Sequence, residues 1–122
     1  MAKHLETGKK GETLAAGWLS ANGYTLLYRN WRFRRCEIDI VAQKNGKLHL
    51  IEVKTSTNLY FGFPEERIGK KKMLQIMQAG ANFLECYPEW KDVQYDILSL
   101  LLLPGEAVSY FLIEDVFWNW PD

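Results

Sequence analysis

Two apolar runs flank Asn45-Gly46, and each carries charge at its far end. Asn-Gly is the pair that a two-residue type I′ turn prefers, because both central positions need positive φ. The pattern predicts an antiparallel hairpin of two strands, Cys36–Gln43 and Lys47–Lys54. A two-residue loop sets Lys44 opposite Lys47, which brings Asp39 opposite Glu52. Opposed residues share a face, with Cβ atoms about 4.5–5.5 Å apart. Two carboxylates in that relation repel, and a divalent cation between them removes the objection. Alternation puts Leu48, Leu50, Glu52 and Lys54 on one face of their strand, and His49, Ile51 and Val53 on the other. By the same rule Glu37, Asp39 and Val41 share a face, opposite Ile38 and Ile40.

The rest of the chain is read around this hairpin. Met1–Glu6 is a lead-in, Thr7 is a candidate N-cap, and a helix runs to about Ala21, closed by Asn22-Gly23. Glu12, Ala15, Ala16 and Leu19 recur at helical spacing and form one stripe. Glu12 is either an exposed rim residue or a polar group turned toward the sheet. Tyr24–Tyr28 is a short strand, followed by a basic, aromatic connection, Arg29-Asn30-Trp31-Arg32. Thr55–Glu66 is a loop, and a helix covers about Glu65 or Ile68 to Tyr87. Its Met73, Met77, Gly80 and Leu84 form one stripe, beside Ile76, Phe83 and Tyr87. Gly80 costs about 1 kcal/mol relative to Ala in a helix, which points to close approach to the sheet. Val93–Leu103 and Val108–Ile113 are strands, and Glu114–Trp120 is a short helix with Phe117, Trp118 and Trp120 packed down. The predicted order is αβββαββα, an α/β mixed sheet flanked by helices, in one domain spanning 1–122.

Charge and cysteines set the class. Acidic and basic residues number 15 each, so the bulk charge is not that of a strongly basic nucleic-acid binder. The basic residues are nevertheless clustered, at Lys9-Lys10, at Arg29, Arg32, Arg34 and Arg35, and at Lys70-Lys71-Lys72. Three lysines opening a helix oppose its dipole, and an anionic partner would account for them. Two cysteines do not make a disulfide framework. The default is a soluble cytoplasmic protein with free thiols and no membrane span.

The inward polar set is Glu12, Glu37 or Asp39, Glu52 and Lys54. Oxygen ligands at Asp39 and Glu52, with the Val53 carbonyl, suit a hard cation such as Mg²⁺ or Mn²⁺. Glu12 is placed to hold a second ion or its water. Lys54 would orient the attacking water or neutralise developing charge. His4 and His49 are isolated and give no zinc spacing. His49 lies on the face away from Glu52 and is read as structural.

The run Glu37-Ile38-Asp39, a hairpin, and then Glu52-Val53-Lys54 resembles the PD-(D/E)XK nuclease superfamily, with Ile-Asp in place of Pro-Asp. More closely, the chain resembles the YraN family of predicted endonucleases. The matching pieces are Gly11-Glu12, Arg29-Asn30-Trp31-Arg32, Glu37-Ile38-Asp39-Ile40, Ile51-Glu52-Val53-Lys54-Thr55, Gly62 with Pro64-Glu65, Lys72, and Tyr95-Asp96-Ile97. Ser56 and Gln94 stand where the family often has Arg, and Gly80 stands where Ala is usual. The resemblance implies a restriction-endonuclease-like fold, similar also to archaeal Holliday-junction resolvases, with Glu12, Asp39, Glu52 and Lys54 as the catalytic metal site. It implies cleavage of DNA, including branched or structured DNA. Arg29, Asn30, Arg32, Arg34, Lys71 and Lys72 would contact nucleic acid, with Glu37 and Thr55 accessory. A two-fold homodimer would suit cutting of both strands. Two other readings stand beside this one. The fold would serve a non-cleaving nucleic-acid-binding or assembly module, or Glu52–Lys54 would be a structural ion pair.

Overall fold

The computed structural model describes residues 2–60 and 62–119. Nine elements follow in the order α1 (Ala2–Ala21), β1 (Thr25–Phe33), β2 (Cys36–Lys44), β3 (Lys47–Ser56), a 3₁₀ turn (Pro64–Arg67), α2 (Lys70–Cys86), β4 (Val93–Leu101), β5 (Ser109–Ile113) and α3 (Val116–Asn119). The strands form one sheet in the order β1-β2-β3-β4-β5. Only the β3–β4 pairing is parallel, and α2 makes that crossover. The mixed sheet and the element order match the sequence-based expectation.

Asn45 and Gly46 both take positive φ, 53° and 77°. Lys44 pairs with Lys47 and Ile40 with Ile51, the register that the turn predicts. The two faces of the sheet bury separate cores. On one, α1 sets Ala15, Ala16 and Leu19 against Ile40, Ile51, Leu98 and Leu100. On the other, Ala79 and Phe83 of α2 pack on Ile38, Val41, Leu48 and Leu50.

Several expectations need correction. The first helix starts at Ala2, so Thr7 lies within it and is not its N-cap. Arg29–Arg32 is strand rather than connection. Tertiary packing overrides the weak strand preference of Arg and Asn, since the Trp31 ring meets Phe83 edge-on at 5.0 Å. Ile38 and Ile40 do not share a face, because they belong to opposite cores. Beside them, between the Arg29–Ile40 and Trp31–Ile38 pairs, Asn30 takes φ 56° and breaks the regular pleat. Asp39 therefore parts from Val41, which turns to the α2 side. On α2, Met77 is exposed, while Met73, Ile76, Ala79, Gly80 and Phe83 are buried. Trp120 lies outside the described residues.

Gly80 does approach the sheet closely: a Cβ there would fall 2.8 Å from Cε1 of Tyr95. Gly11 plays the same part on the other face, where a Cβ would fall 2.9 Å from Cβ of Thr55. Overpacking of this kind costs about 1–3 kcal/mol. Gly11→Ala is expected to lower thermal stability by that amount, about 1–3 kcal/mol, and Thr55→Ala to restore part of it in the double variant. Additive losses in calorimetric melts would refute the contact.

Candidate metal centre

The sheet forks beyond Ile40 and Ile51. β2 continues along β1 as far as Phe33–Cys36, while β3 continues along β4 as far as Ser56–Leu101. The Asp39–Glu52 pair falls at the fork, one step past the last β2–β3 ladder pair. There the Asp39 side chain takes over from the backbone: the Val53 amide donates to Asp39 Oδ2 at 2.8 Å. The notch between the parting strands is where the polar residues collect.

Glu52 is 5% exposed, and while both carboxyls are ionised its Oε1 has no hydrogen-bond donor. Its Oε2 lies 3.4 Å from the ammonium of Lys72. Burial, then a hydrogen bond and charge repulsion from Glu52, push the Asp39 carboxyl up to about 8, against opposing pulls from the Val53 amide and Lys72. Adjacent carboxylates cannot both ionise cheaply, and Asp39 is the one held up. Glu12 comes in from α1, half-buried beneath the sheet. Its carboxyl is raised by burial and by Asp39 and Glu37, with Arg29 pulling the other way. One carboxylate oxygen from each of Glu12, Glu37 and Asp39 lies within 4.8 Å of the others. The Asn30 side-chain amide spans two of them, 2.6 Å from Glu37 Oε1 and 2.9 Å from Glu12 Oε1. With its nitrogen on that side it donates to both.

Asp39 thus joins two acidic groups, Glu12 with Glu37 on the α1 side and Glu52 on the α2 side. Lys54 lines the grooves on both sides of Asp39. Among the described residues no carboxylate pairs with it. The structural ion pair expected between Glu52 and Lys54 is therefore not formed, because Lys72 takes that place. Glu37, read from the sequence as accessory, stands inside the cluster. Lys72, read only as a nucleic-acid contact, touches a carboxylate of the centre.

The fit to a hard divalent cation rests on the donor set. The groups are all carboxylate oxygens, one buried oxygen of Glu52 lacks a donor, and burial with Glu52 alongside holds the Asp39 carboxyl up. Glu12, Glu37 and Asp39 bring carboxylate oxygens close enough to share one ion, and Glu52 lies on the far side of Asp39.

The flanking cations are exposed at Arg29, Arg32, Arg34 and Lys71, as is Asn30. Arg32 pairs with Glu37 at 3.2 Å, and Arg34 lies over the Phe33 ring. Thr55 is the seat for α1 rather than a contact to solvent. Ser56 and Gln94 are both buried, Ser56 Oγ donating to the Asn58 carbonyl and Gln94 to Asp96. Neither lines the grooves beside Asp39.

A second polar cluster escaped sequence reasoning. His49 Nδ1 lies 2.7 Å from Asp96 Oδ2, with Glu114 nearby, three residues before Glu52 on β3. Asp96 is 1% exposed and also accepts from Gln94 and the Asp115 amide. The only sequence signal was a polar pair, Gln94 and Asp96, interrupting an apolar strand.

A five-stranded mixed sheet with α1 and α2 on opposite faces, forked at an acidic pair, is a restriction-endonuclease-like fold. It superposes on a Holliday junction resolvase, Hjc of Archaeoglobus fulgidus, with a TM-score of 0.50 and 17% identity over 91% of each chain. Residues 11–100 match the model of "Uncharacterised protein family UPF0102", and the chain belongs to that family, the YraN family its motifs resemble. A relative from Phocaeicola vulgatus is 38% identical over 120 residues, 97% of each chain, and one from Flavobacterium johnsoniae is 37% identical over 123 residues, 98% of this chain and 99% of its own. Both are described as UPF0102 proteins. No described helix is long and apolar enough to cross a membrane.

Proposed function

We propose that residues 1–122 form one nuclease domain that hydrolyses DNA phosphodiester bonds with a divalent cation, Mg²⁺ or Mn²⁺. The observation that carries this reading is the buried Glu52 Oε1, without a donor, beside Asp39 in a notch lined by Lys54, which pairs with no described carboxylate. Such a cation, when bound, supplies charge to a phosphoryl oxygen and activates water. The chain's own residues do the rest. The Val53 amide and the fork fix Asp39, so that its carboxylate is pre-aimed. Burial and Glu52 hold the Asp39 carboxyl up, and positive charge beside it would draw its proton off. Lys54 places an ammonium where negative charge gathers on the transferred phosphoryl group. Arg29, Arg32, Arg34 and Lys71 offer exposed charge to flanking phosphates, setting position without reading sequence.

The neighbouring Hjc structure is named a Holliday junction resolvase, which makes branched DNA the first substrate to try. Calorimetric titration with Mn²⁺, paired with cleavage assays on linear duplex and four-way-junction DNA, tests the reading. Expected are saturable ion uptake, cleavage that stops with a chelator, and loss of both in Asp39→Asn. Absence of ion uptake even with DNA present would remove the enzyme. Salt-sensitive DNA binding without cleavage would instead make this a binding module.

A further inference from the structure

We infer that Lys72 is an internal counter-ion: it holds the Glu52 seat until a divalent cation arrives, and is then released toward a substrate phosphate. This rests on the metal centre proposed above and gives Lys72, read from the sequence as a nucleic-acid contact, a role inside that centre.

The ion pair is loose. Its 3.4 Å separation exceeds the roughly 2.7–2.9 Å of a tight charge-assisted hydrogen bond. The ammonium engages one oxygen of Glu52 and leaves the other orphaned. The Lys72 side chain is 43% exposed, while that of Glu52 is almost wholly covered. One partner is therefore anchored and the other free to leave.

The position of Lys72 opposes its staying once Glu52 is neutralised. It stands in the first turn of α2 with Lys70 and Lys71. That turn holds no acidic residue, and Gly69 at the N-cap gives no side-chain cap. The positive end of the helix and two neighbouring ammoniums all repel it. Glu52 offsets that repulsion only while its charge is not taken by an ion. A divalent cation at Glu52 would remove the attraction and add a further repulsion. The groove lined by Asp39, Glu52, Val53, Lys54, Ile68 and Lys72 has room, about 430 Å³, for the phosphate that would then attract it.

Mn²⁺ titration without DNA separates the outcomes, comparing wild type with Lys72→Met and Lys72→Arg. Lys72→Met is expected to bind Mn²⁺ about fivefold more tightly, the scale of one partly exposed ion pair. Lys72→Arg, which keeps the charge, should stay near wild type. Equal or weaker binding in Lys72→Met overturns the counter-ion role and leaves the metal centre standing. No uptake by any of the three removes the centre and the counter-ion together. With Ca²⁺ and a short duplex, the ion-induced gain in DNA affinity should be about fivefold smaller in Lys72→Met than in wild type, the loss of one phosphate contact. An equal gain would refute release to phosphate. Near-native circular dichroism confirms that each variant is folded, while metal-free Lys72→Met, which strands Glu52, is expected to melt lower than wild type.

Discussion

Lys54→Ala is expected to lower the DNA cleavage rate at least about 10²–10³-fold, the usual loss when one preorganised charge at a developing oxyanion is removed. Its melting temperature should hardly move. Lys54 is half-buried at the groove and pairs with no described carboxylate, so its removal strands no partner and opens no core cavity. A surface change of that kind stays within about 0.5 kcal/mol. Mn²⁺ uptake should persist or improve, since an ammonium beside the notch repels the ion. Single-turnover cleavage and calorimetry on one preparation check both halves. Full cleavage by Lys54→Ala would show that the lysine plays no part in the chemistry.

Asp39→Asn is expected to pull stability and function apart. In wild type the folded chain keeps a proton on Asp39 up to pH about 8, whereas an unperturbed Asp releases it near 3.8. A carboxyl whose folded value is raised contributes stability below its unfolded value, and that contribution is lost as pH rises through the folded value. Metal-free protein should therefore melt at progressively lower temperature from about pH 4 to about pH 8. Asn reproduces the protonated state permanently. Its oxygen can accept the Val53 amide as Asp39 Oδ2 does, and its nitrogen can donate to Glu52. At pH 8 the variant should be more stable than metal-free wild type by on the order of 2 kcal/mol, the scale of relieving a poorly compensated buried charge. Its melting should be less steeply dependent on pH. Mn²⁺ should raise the wild-type melting temperature and leave the variant's unchanged. A variant less stable than wild type at pH 8 would mean that the Asp39–Glu52 pair is not strained.

Local chemistry decided what was legible beforehand. Asn45-Gly46 admits one tight turn, and that turn fixes the register, so the meeting of Asp39 and Glu52 could be read from residue types alone. Arg29–Arg32 was misread because its strand character comes from Trp31 packing on Phe83, a contact between distant segments. The split of Ile38 from Ile40 arises beside Asn30 with its positive φ, and a period-two rule has no means of seeing it. Lys72 was legible as a cation in an unfavourable place, but its partner, 20 positions earlier in the chain, depends on how α2 crosses the sheet. The same holds for His49 and Asp96, neighbours only because β3 and β4 run parallel in one particular register.

The tight turn also bears on when the centre comes into being. Asp39, Glu52 and Lys54 sit on one hairpin, closed by a short loop. Such a unit can form on the microsecond scale from contacts near in sequence. Lys72 belongs to a helix made later in synthesis, and β4, which flanks Glu52, comes later still. A nascent chain would thus present its acidic pair before its counter-ion has been synthesised. The acidic pair is therefore balanced only once α2 has packed, so the counter-ion closes the centre late in folding.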